Sequence, residues 1–129
     1  MCIELLKSNI DDVMDTYHGF HDAEIISVSI VSKDYSLPGQ LVEIFMLCEN
    51  HRNKNFERIK LSLHETTEIK YKYNADYDYA NIRDEVFFLF HDEKVFIDFG
   101  SACDARNVPA DFRSLDNYFV CKSVDMSIG

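Results

Sequence analysis

The chain has 129 residues, 47% of them hydrophobic, which is enough to bury a self-sufficient core in one domain spanning residues 1–129. Its formal net charge is −10, from 23 acidic and 13 basic residues. That balance argues against binding to nucleic-acid phosphates or an anionic membrane. It favours solubility, and a basic partner if the protein has one; the alternative is that the acidity only keeps the protein soluble. The chain contains only four glycines and two prolines, which excludes collagen-like and low-complexity classes.

The first predicted element is a short helix that ends at Tyr17. Ser8 or Asn9 is placed to cap it, and acidic residues follow in the first turn, where carboxylates are favourable. Gly19 is a plausible stop. The apolar residues recur at helical spacing and should form a buried stripe: Ile10, Val13, Met14 and Tyr17.

From Glu24 onward the hydrophobic period changes to two, which predicts strands. Ile26, Val28 and Ile30 should share one face of the first strand, and the strands at 59–63 and 69–73 should be half-buried with their polar faces outward. The run 41–48 is apolar on both faces and predicts a central strand that is buried on both sides. The runs 86–90 and 95–99 flank four polar residues and predict a hairpin. The predicted strands are 26–30, 41–48, 59–63, 69–73, 86–90, 95–99 and 118–126, and residues 108–112 are expected to form a turn or 3₁₀ piece. The fold class is therefore mainly β with a minor α part, an antiparallel sandwich or partly open barrel of about seven strands with one short N-terminal helix.

No pattern in the chain has the spacing of a catalytic, cofactor or metal site. The serines lack a nucleophile elbow, and no glycine-rich phosphate loop is present. Cys48 and Cys121 lie in apolar runs and are expected to be buried, reduced thiols. His21 and Asp22 are adjacent, as in the metal-binding dipeptide of phosphohydrolases, but the strands around them favour a structural role. Asp22 would then accept backbone N–H bonds at the entry to the first strand, and His21 would pack over the helix.

The best candidate for a binding surface is residues 71–85, which we call the acidic tyrosine segment. Tyrosines provide rigid contact area at interfaces, and neighbouring carboxylates steer basic partners. The alternative is that the tyrosines cover the edge of the core and the aspartates solvate a turn. The candidate contact residues are Tyr71, Tyr73, Asp76, Tyr77, Asp78, Tyr79, Asp84 and Glu85.

The hexapeptide Phe20-His21-Asp22-Ala23-Glu24-Ile25 resembles the Phe/Leu-His-Asp-Ser/Ala-x-Ile entry of small β-rich bacterial proteins. Some of these are immunity proteins of contact-dependent or polymorphic toxin systems. The resemblance implies a protein without enzymatic activity that binds and blocks a cognate toxin domain, for which the acidic balance favours a basic, nuclease-like one. The N-terminus lacks the pattern of a signal peptide, so the expected compartment is the cytoplasm.

Two other functions stay open at this point. One is a small hydrolase-like enzyme with a cryptic metal or acid–base site at His21 and Asp22. The other is a structural module that self-associates through an edge strand at residues 69–73.

Overall fold

The computed structural model describes residues 2–31, 39–71, 85–99, 108–113 and 117–129. Two short α-helices and one 3₁₀ turn, His18–Phe20, accompany nine strands in these ranges. The helices are α1, Ile10–Tyr17, and α2, Pro109–Arg113. The strands are β1 Cys2–Leu5, β2 Glu24–Val31, β3 Gln40–Asn50, β4 Asn55–Thr66, β5 Glu68–Lys70, β6 Val86–His91, β7 Lys94–Phe99, β8 Tyr118–Cys121 and β9 Ser123–Ile128. No described helix has the length and apolar character needed to cross a membrane.

The strands form two antiparallel sheets, as predicted for a mainly β fold. The five-stranded sheet has the order β1-β9-β4-β3-β2, and the four-stranded sheet has the order β5-β8-β7-β6. Within the described ranges neither sheet closes into a barrel. The strand number differs from the expected seven for two reasons. The four residues of β1 carry too little periodicity to be recognised, and the predicted strand 118–126 divides at Lys122.

Two neighbouring strand pairs pass from one sheet to the other at a shared corner. Thr67 separates β4 from β5, and Lys122 separates β8 from β9. The backbone N–H of Thr67 donates to the carbonyl of Val120, and that of Lys122 donates to the carbonyl of His64, both at 2.9 Å. These bonds carry the hydrogen-bond ladder around the corner and tie the two sheets together.

The main core lies between the sheets and takes side chains from both. Leu61 and Ile44 of one sheet and Ile97 and Phe119 of the other are fully buried in the same cluster. A smaller cluster forms on the opposite side of the four-stranded sheet, where Phe112 of α2 covers Phe96 at a ring distance of 5.8 Å. The residues expected to form a turn at 108–112 thus provide a short helix that closes this second face.

The helix α1 confirms its predicted apolar stripe. Val13 and Tyr17 are buried, and Ile10 and Met14 are partly buried against the core. Asn9 occupies the N-cap position, but its side chain does not cap the helix. Its Oδ1 instead accepts from the Leu6 N–H and its Nδ2 donates to the Glu4 carbonyl, each at 2.8 Å. Asn9 therefore joins β1 to the helix.

The expected faces of β2 and β3 need two corrections. A β-bulge between Ile25 and Ser27 leaves Ile26 outside the register, so Ile25 joins Val28 and Ile30 on the inner face in its place. The strand β3 is an interior strand of its sheet, between β4 and β2, but only its inner face is buried. Its outer face is partly open, since Phe45 retains 40% of its accessible surface.

The predicted hairpin is confirmed, with a tighter turn than expected. Because His91 pairs with Lys94, the loop contains only Asp92 and Glu93. Both have positive φ, 49° and 59°, as a two-residue type I′ turn requires. Of the predicted strand 69–73, the structure describes β5, Glu68–Lys70, and residues 72 and 73 lie outside the described ranges. Ile69 is exposed rather than half-buried, because β5 is an edge strand.

Candidate partner-binding surfaces

The acidic tyrosine segment is described only at its two ends, Tyr71 and Glu85. The other predicted contact residues, Tyr73, Asp76, Tyr77, Asp78, Tyr79 and Asp84, lie outside the described residues. Tyr71 follows β5, and Glu85 directly precedes β6. The segment therefore leaves one edge of the four-stranded sheet and returns at the opposite edge.

Tyr71 packs partly into the core. Its ring lies 6.3 Å from that of Phe119, a fully buried residue of β8. Burial raises the pKa of the Tyr71 phenol, because the charged form loses hydration. This position fits the alternative in which a tyrosine covers the edge of the core, although a half-buried ring still leaves part of its surface accessible.

Glu85 lies against the loop that carries the recognisable hexapeptide. Gly19 adopts a φ of +64°, and a Cβ atom placed on it would lie 2.6 Å from Cγ of Glu85. A glycine is needed there both for the left-handed backbone and for the close approach. The C-terminal end of the acidic tyrosine segment therefore borders the 3₁₀ turn, a proximity between residues 66 positions apart.

Three histidines gather beside this loop. The His18 ring lies 4.9 Å from that of His51 and 6.0 Å from that of His21. The backbone N–H of His51 donates to the Thr16 carbonyl at 2.8 Å, which holds the β3–β4 turn against α1. Among the described residues no group of three or more His, Cys, Asp or Glu side chains has an arrangement that could hold a metal ion.

The pair at His21 and Asp22 is a surface contact. Nδ1 of His21 lies 3.0 Å from Oδ2 of Asp22, and the two side chains are 43% and 80% exposed. Within the described part of the chain the carboxylate contacts this ring and no backbone N–H, which differs from the expected Asx-type bond. Asp22 contributes through its backbone, whose φ of +63° turns the chain into β2. The hydrolase-like alternative at this pair remains a prediction.

A partly buried hydrogen-bond network lies next to the same loop. Glu57 accepts from Asn50 Nδ2 at 2.7 Å and from the Tyr17 hydroxyl at 3.4 Å, and the Tyr17 ring stacks on Phe20 at 5.5 Å. Burial, with the nearby Glu57 carboxylate, raises the pKa of Tyr17 to about 12. The packed rings of Tyr17 and Phe20 thus fix the position of the loop relative to α1.

The two cysteines expected to be buried are buried and free. Burial raises the pKa of Cys48 to about 11, with Glu49 and Glu57 adding to the shift, and it raises the pKa of Cys121 to about 12. A thiol with so high a pKa carries almost no thiolate near neutral pH, so both residues act as core side chains.

The outer face of the five-stranded sheet carries an apolar patch that sequence reasoning did not find. Phe56 is 70% exposed and Phe45 is 40% exposed on this face, and the nearby bulge residue Ile26 of β2 is 53% exposed. In the strand registers Phe45 lies opposite Ser27, and Leu47 lies between Glu24 and Arg58. We call Ile26, Phe45, Leu47 and Phe56 the outer patch. Neighbouring exposed apolar side chains rimmed by polar ones are typical of protein-binding surfaces.

Charged residues surround the outer patch. Glu43 and Lys60 form an ion pair at 3.5 Å, which leaves Glu24, Glu49 and Arg58 around the apolar centre. Farther along β4, His64 contacts Asp125 at 2.8 Å. These partners are 61 positions apart in the chain, so no local spacing could have indicated the pair.

A groove of about 710 Å³ opens near the corner where the strands change sheets. Leu5, Leu6, Phe90 and Val95 give it an apolar lining. Four carboxylates and two lysines share its rim, which comprises Glu4, Glu65, Asp92, Glu93, Lys94 and Lys122. Lys122 already pairs with Glu65 at 3.6 Å. The groove is a second concave, mildly acidic surface.

Comparison with protein-family models, curated proteins and solved structures found no match for this chain.

Proposed function

We propose that this chain is a cytoplasmic, non-enzymatic immunity-type protein that binds and neutralises a cognate bacterial toxin domain. The partner is a basic, nuclease-like domain, and the contact uses the acidic tyrosine segment at residues 71–85. The proposal needs neither a cofactor nor direct contact with nucleic acid or a membrane.

The observation that carries the proposal is the combination of a net charge of −10 with exposed apolar side chains. An acidic surface accelerates the encounter with a basic domain, because opposite charges attract over about 10 Å at 0.1 M salt. Buried apolar anchors then provide most of the affinity in protein interfaces. The tyrosines of the segment are the anchors that we propose, and Tyr71, which lies within the described residues, is only partly buried. Phe56 and Phe45 are further exposed apolar side chains on the described surface.

The placement of Glu85 supports the choice of segment. Glu85 is exposed, and it ends the acidic tyrosine segment beside Gly19, the residue that directly precedes the hexapeptide. A partner that contacts the segment near this end would therefore also meet the loop that carries the resemblance to immunity proteins.

Co-expression with the toxin encoded by the neighbouring gene tests the proposal. We expect growth rescue and a 1:1 complex whose association rate falls as salt rises, because steering is screened. The absence of an adjacent toxin gene, or a lack of rescue, would contradict the proposal.

A charge-matched pair of variants tests the location. Reversal of Asp76 and Asp78 to lysine should weaken the complex at least about tenfold, which corresponds to about 1.4 kcal/mol. Reversal of Asp11 and Asp15, which are exposed on α1, changes the net charge equally and should have a smaller effect. Equal losses in both variants would show that only overall charge matters.

A further inference from the structure

Among the described strands, β2 forms one edge of the five-stranded sheet. In the strand order of the described residues β2 is terminal, with β3 as its sheet neighbour. It has eight residues, whereas the other edge of the same sheet, β1, has four and the edge strand β5 has three. A terminal strand presents backbone N–H and C=O groups that another strand can pair with.

This edge lacks the usual chemical protection against pairing. The sequence of β2, Glu-Ile-Ile-Ser-Val-Ser-Ile-Val, contains no lysine or proline, and Glu24 is its single charge. The bulge at Ile26 disturbs only the first part of the strand, so residues 27–31 remain in regular register with β3. Five consecutive residues are therefore available for a regular ladder.

Uncovered apolar surface lies directly beside this edge. Ile30 pairs with the fully buried Val42, so the two side chains share the inner face of the sheet. Yet Ile30 is 60% exposed, because the sheet ends at β2. An additional strand at this edge would cover it.

Residues 27–31 are self-complementary in an antiparallel arrangement centred on Ser29. In that register Val28 lies opposite Ile30 of a second copy, and Ser27 lies opposite Val31. Directly opposed residues of an antiparallel pair share a face, so Val28 and Ile30 meet on the inner face, while Ser27, Ser29 and Val31 lie on the outer one. The two-fold axis repeats every contact, as an isologous dimer requires.

The lack of charged side chains in residues 27–31 favours a second copy of this chain as the molecule that pairs with β2. A basic partner gains nothing from a neutral strip, whereas two copies of a chain with net charge −10 can approach most easily where neither presents a carboxylate. We propose that this protein forms a two-fold dimer through residues 27–31 of β2, which extends the five-stranded sheet across both copies. This places self-association on β2 rather than at residues 69–73, and it is independent of the inhibitor function.

The dimer is expected to be weak and favoured by salt. Five paired residues per strand make an interface smaller than a standard one, and the surrounding negative charges repel. Salt screens that repulsion, so raising it should tighten the dimer while it weakens a complex with a basic toxin. The two proposals can therefore fail separately: the dimer is tested by an association that strengthens with salt, and the toxin complex by one that weakens with salt.

Disulfide trapping tests the register. In a background with Cys2 and Cys103 changed to serine, Ser29→Cys places two thiols directly opposite each other, with Cα atoms about 4.5–5.5 Å apart, within disulfide range. Ser27→Cys is the matched control, because its two copies would be separated by four residues, about 13 Å. We expect oxidised glutathione to cross-link S29C and not S27C. Equal cross-linking, or none in S29C, would overturn the proposed register.

Sedimentation of the uncross-linked chain tests the dimer itself. We expect a concentration-dependent monomer–dimer equilibrium that Ile30→Lys weakens at least about tenfold, since it removes apolar burial and adds an edge charge. Ile26→Lys is similarly exposed in the wild type but lies outside the paired residues, and it should leave the equilibrium nearly unchanged. A strict monomer at millimolar concentration in high salt would refute the proposal.

Discussion

Replacing Gly19 by alanine tests the contact between the hexapeptide loop and the acidic tyrosine segment. The backbone there has a φ of +64°, which costs alanine about 1–2 kcal/mol relative to the right-handed conformation. The new Cβ would also lie 2.6 Å from Cγ of Glu85, so the Glu85 side chain must leave its rotamer at a cost of ~0.5–1.5 kcal/mol. We expect G19A to lower the free energy of unfolding by about 1.5–3.5 kcal/mol, equivalent to roughly 6–14 °C in Tm.

Urea unfolding of a double-mutant cycle separates the two contributions. Glu85→Ala alone should change stability by less than about 0.5 kcal/mol, since Glu85 is an exposed residue. In the G19A background it should recover ~0.5–1.5 kcal/mol, because Cγ and Cδ are removed. Gly39→Ala is the control: its φ is +82° and its Cβ would clash with the Thr66 backbone oxygen, so E85A should not relieve it. Wild-type stability in G19A, or no coupling with E85A, would refute the reasoning.

Three further predictions concern the described core. The pKa of Tyr17 is raised to about 12 from 10, so its contribution to stability is complete below pH 10 and is lost as pH rises toward 12. Tyr17→Phe should therefore flatten the decline in Tm over that range, and an unchanged slope would argue against it. In the native protein, a thiol reagent at pH 8 should label the exposed Cys2 and spare Cys48 and Cys121 until urea unfolds the chain; rapid native labelling of either buried thiol would contradict their burial. Phe119→Ala should cost about 3–5 kcal/mol in urea unfolding, because a fully buried ring is lost; a loss below about 1 kcal/mol would contradict its place in the core.

Local periodicity was sufficient to predict several elements. The stripe of α1, the alternation of Ile59, Leu61 and Leu63 and the β6–β7 hairpin all depend on residues close in sequence. In the first two patterns the apolar residues occur at a single period, and in the hairpin two apolar runs flank a short polar turn.

Features that depend on distant contacts were not predictable. The alternation across residues 118–126 continues through Lys122, so the pattern contains no sign that the chain changes sheets there. Ile25 and Ile26 are both apolar, and only the register with β3 shows which of them faces inward. An apolar face such as that of Phe45 and Leu47 looks buried in sequence whether or not another layer covers it.

For the candidate binding surface, the sequence could predict which residue types occur but not where they lie in the fold. The sequence identified acidic and tyrosine residues at 71–85, but the approach of Glu85 to Gly19 depends on the tertiary arrangement of β6 and the 3₁₀ turn. The exposure of Phe56 likewise depends on the absence of a covering element, which no pattern within β4 encodes.

The corner at Thr67 and Lys122 has a consequence for how the molecule opens. The chain passes directly from one sheet to the other at two places. A single residue separates β4 from β5, and a single residue separates β8 from β9. We therefore expect the two sheets to unfold together, because unfolding of either one would release the strands that continue into the other. Amide hydrogen exchange should thus report one common opening free energy for Leu63, Val120 and Val124, with the slowest amides distributed over both layers.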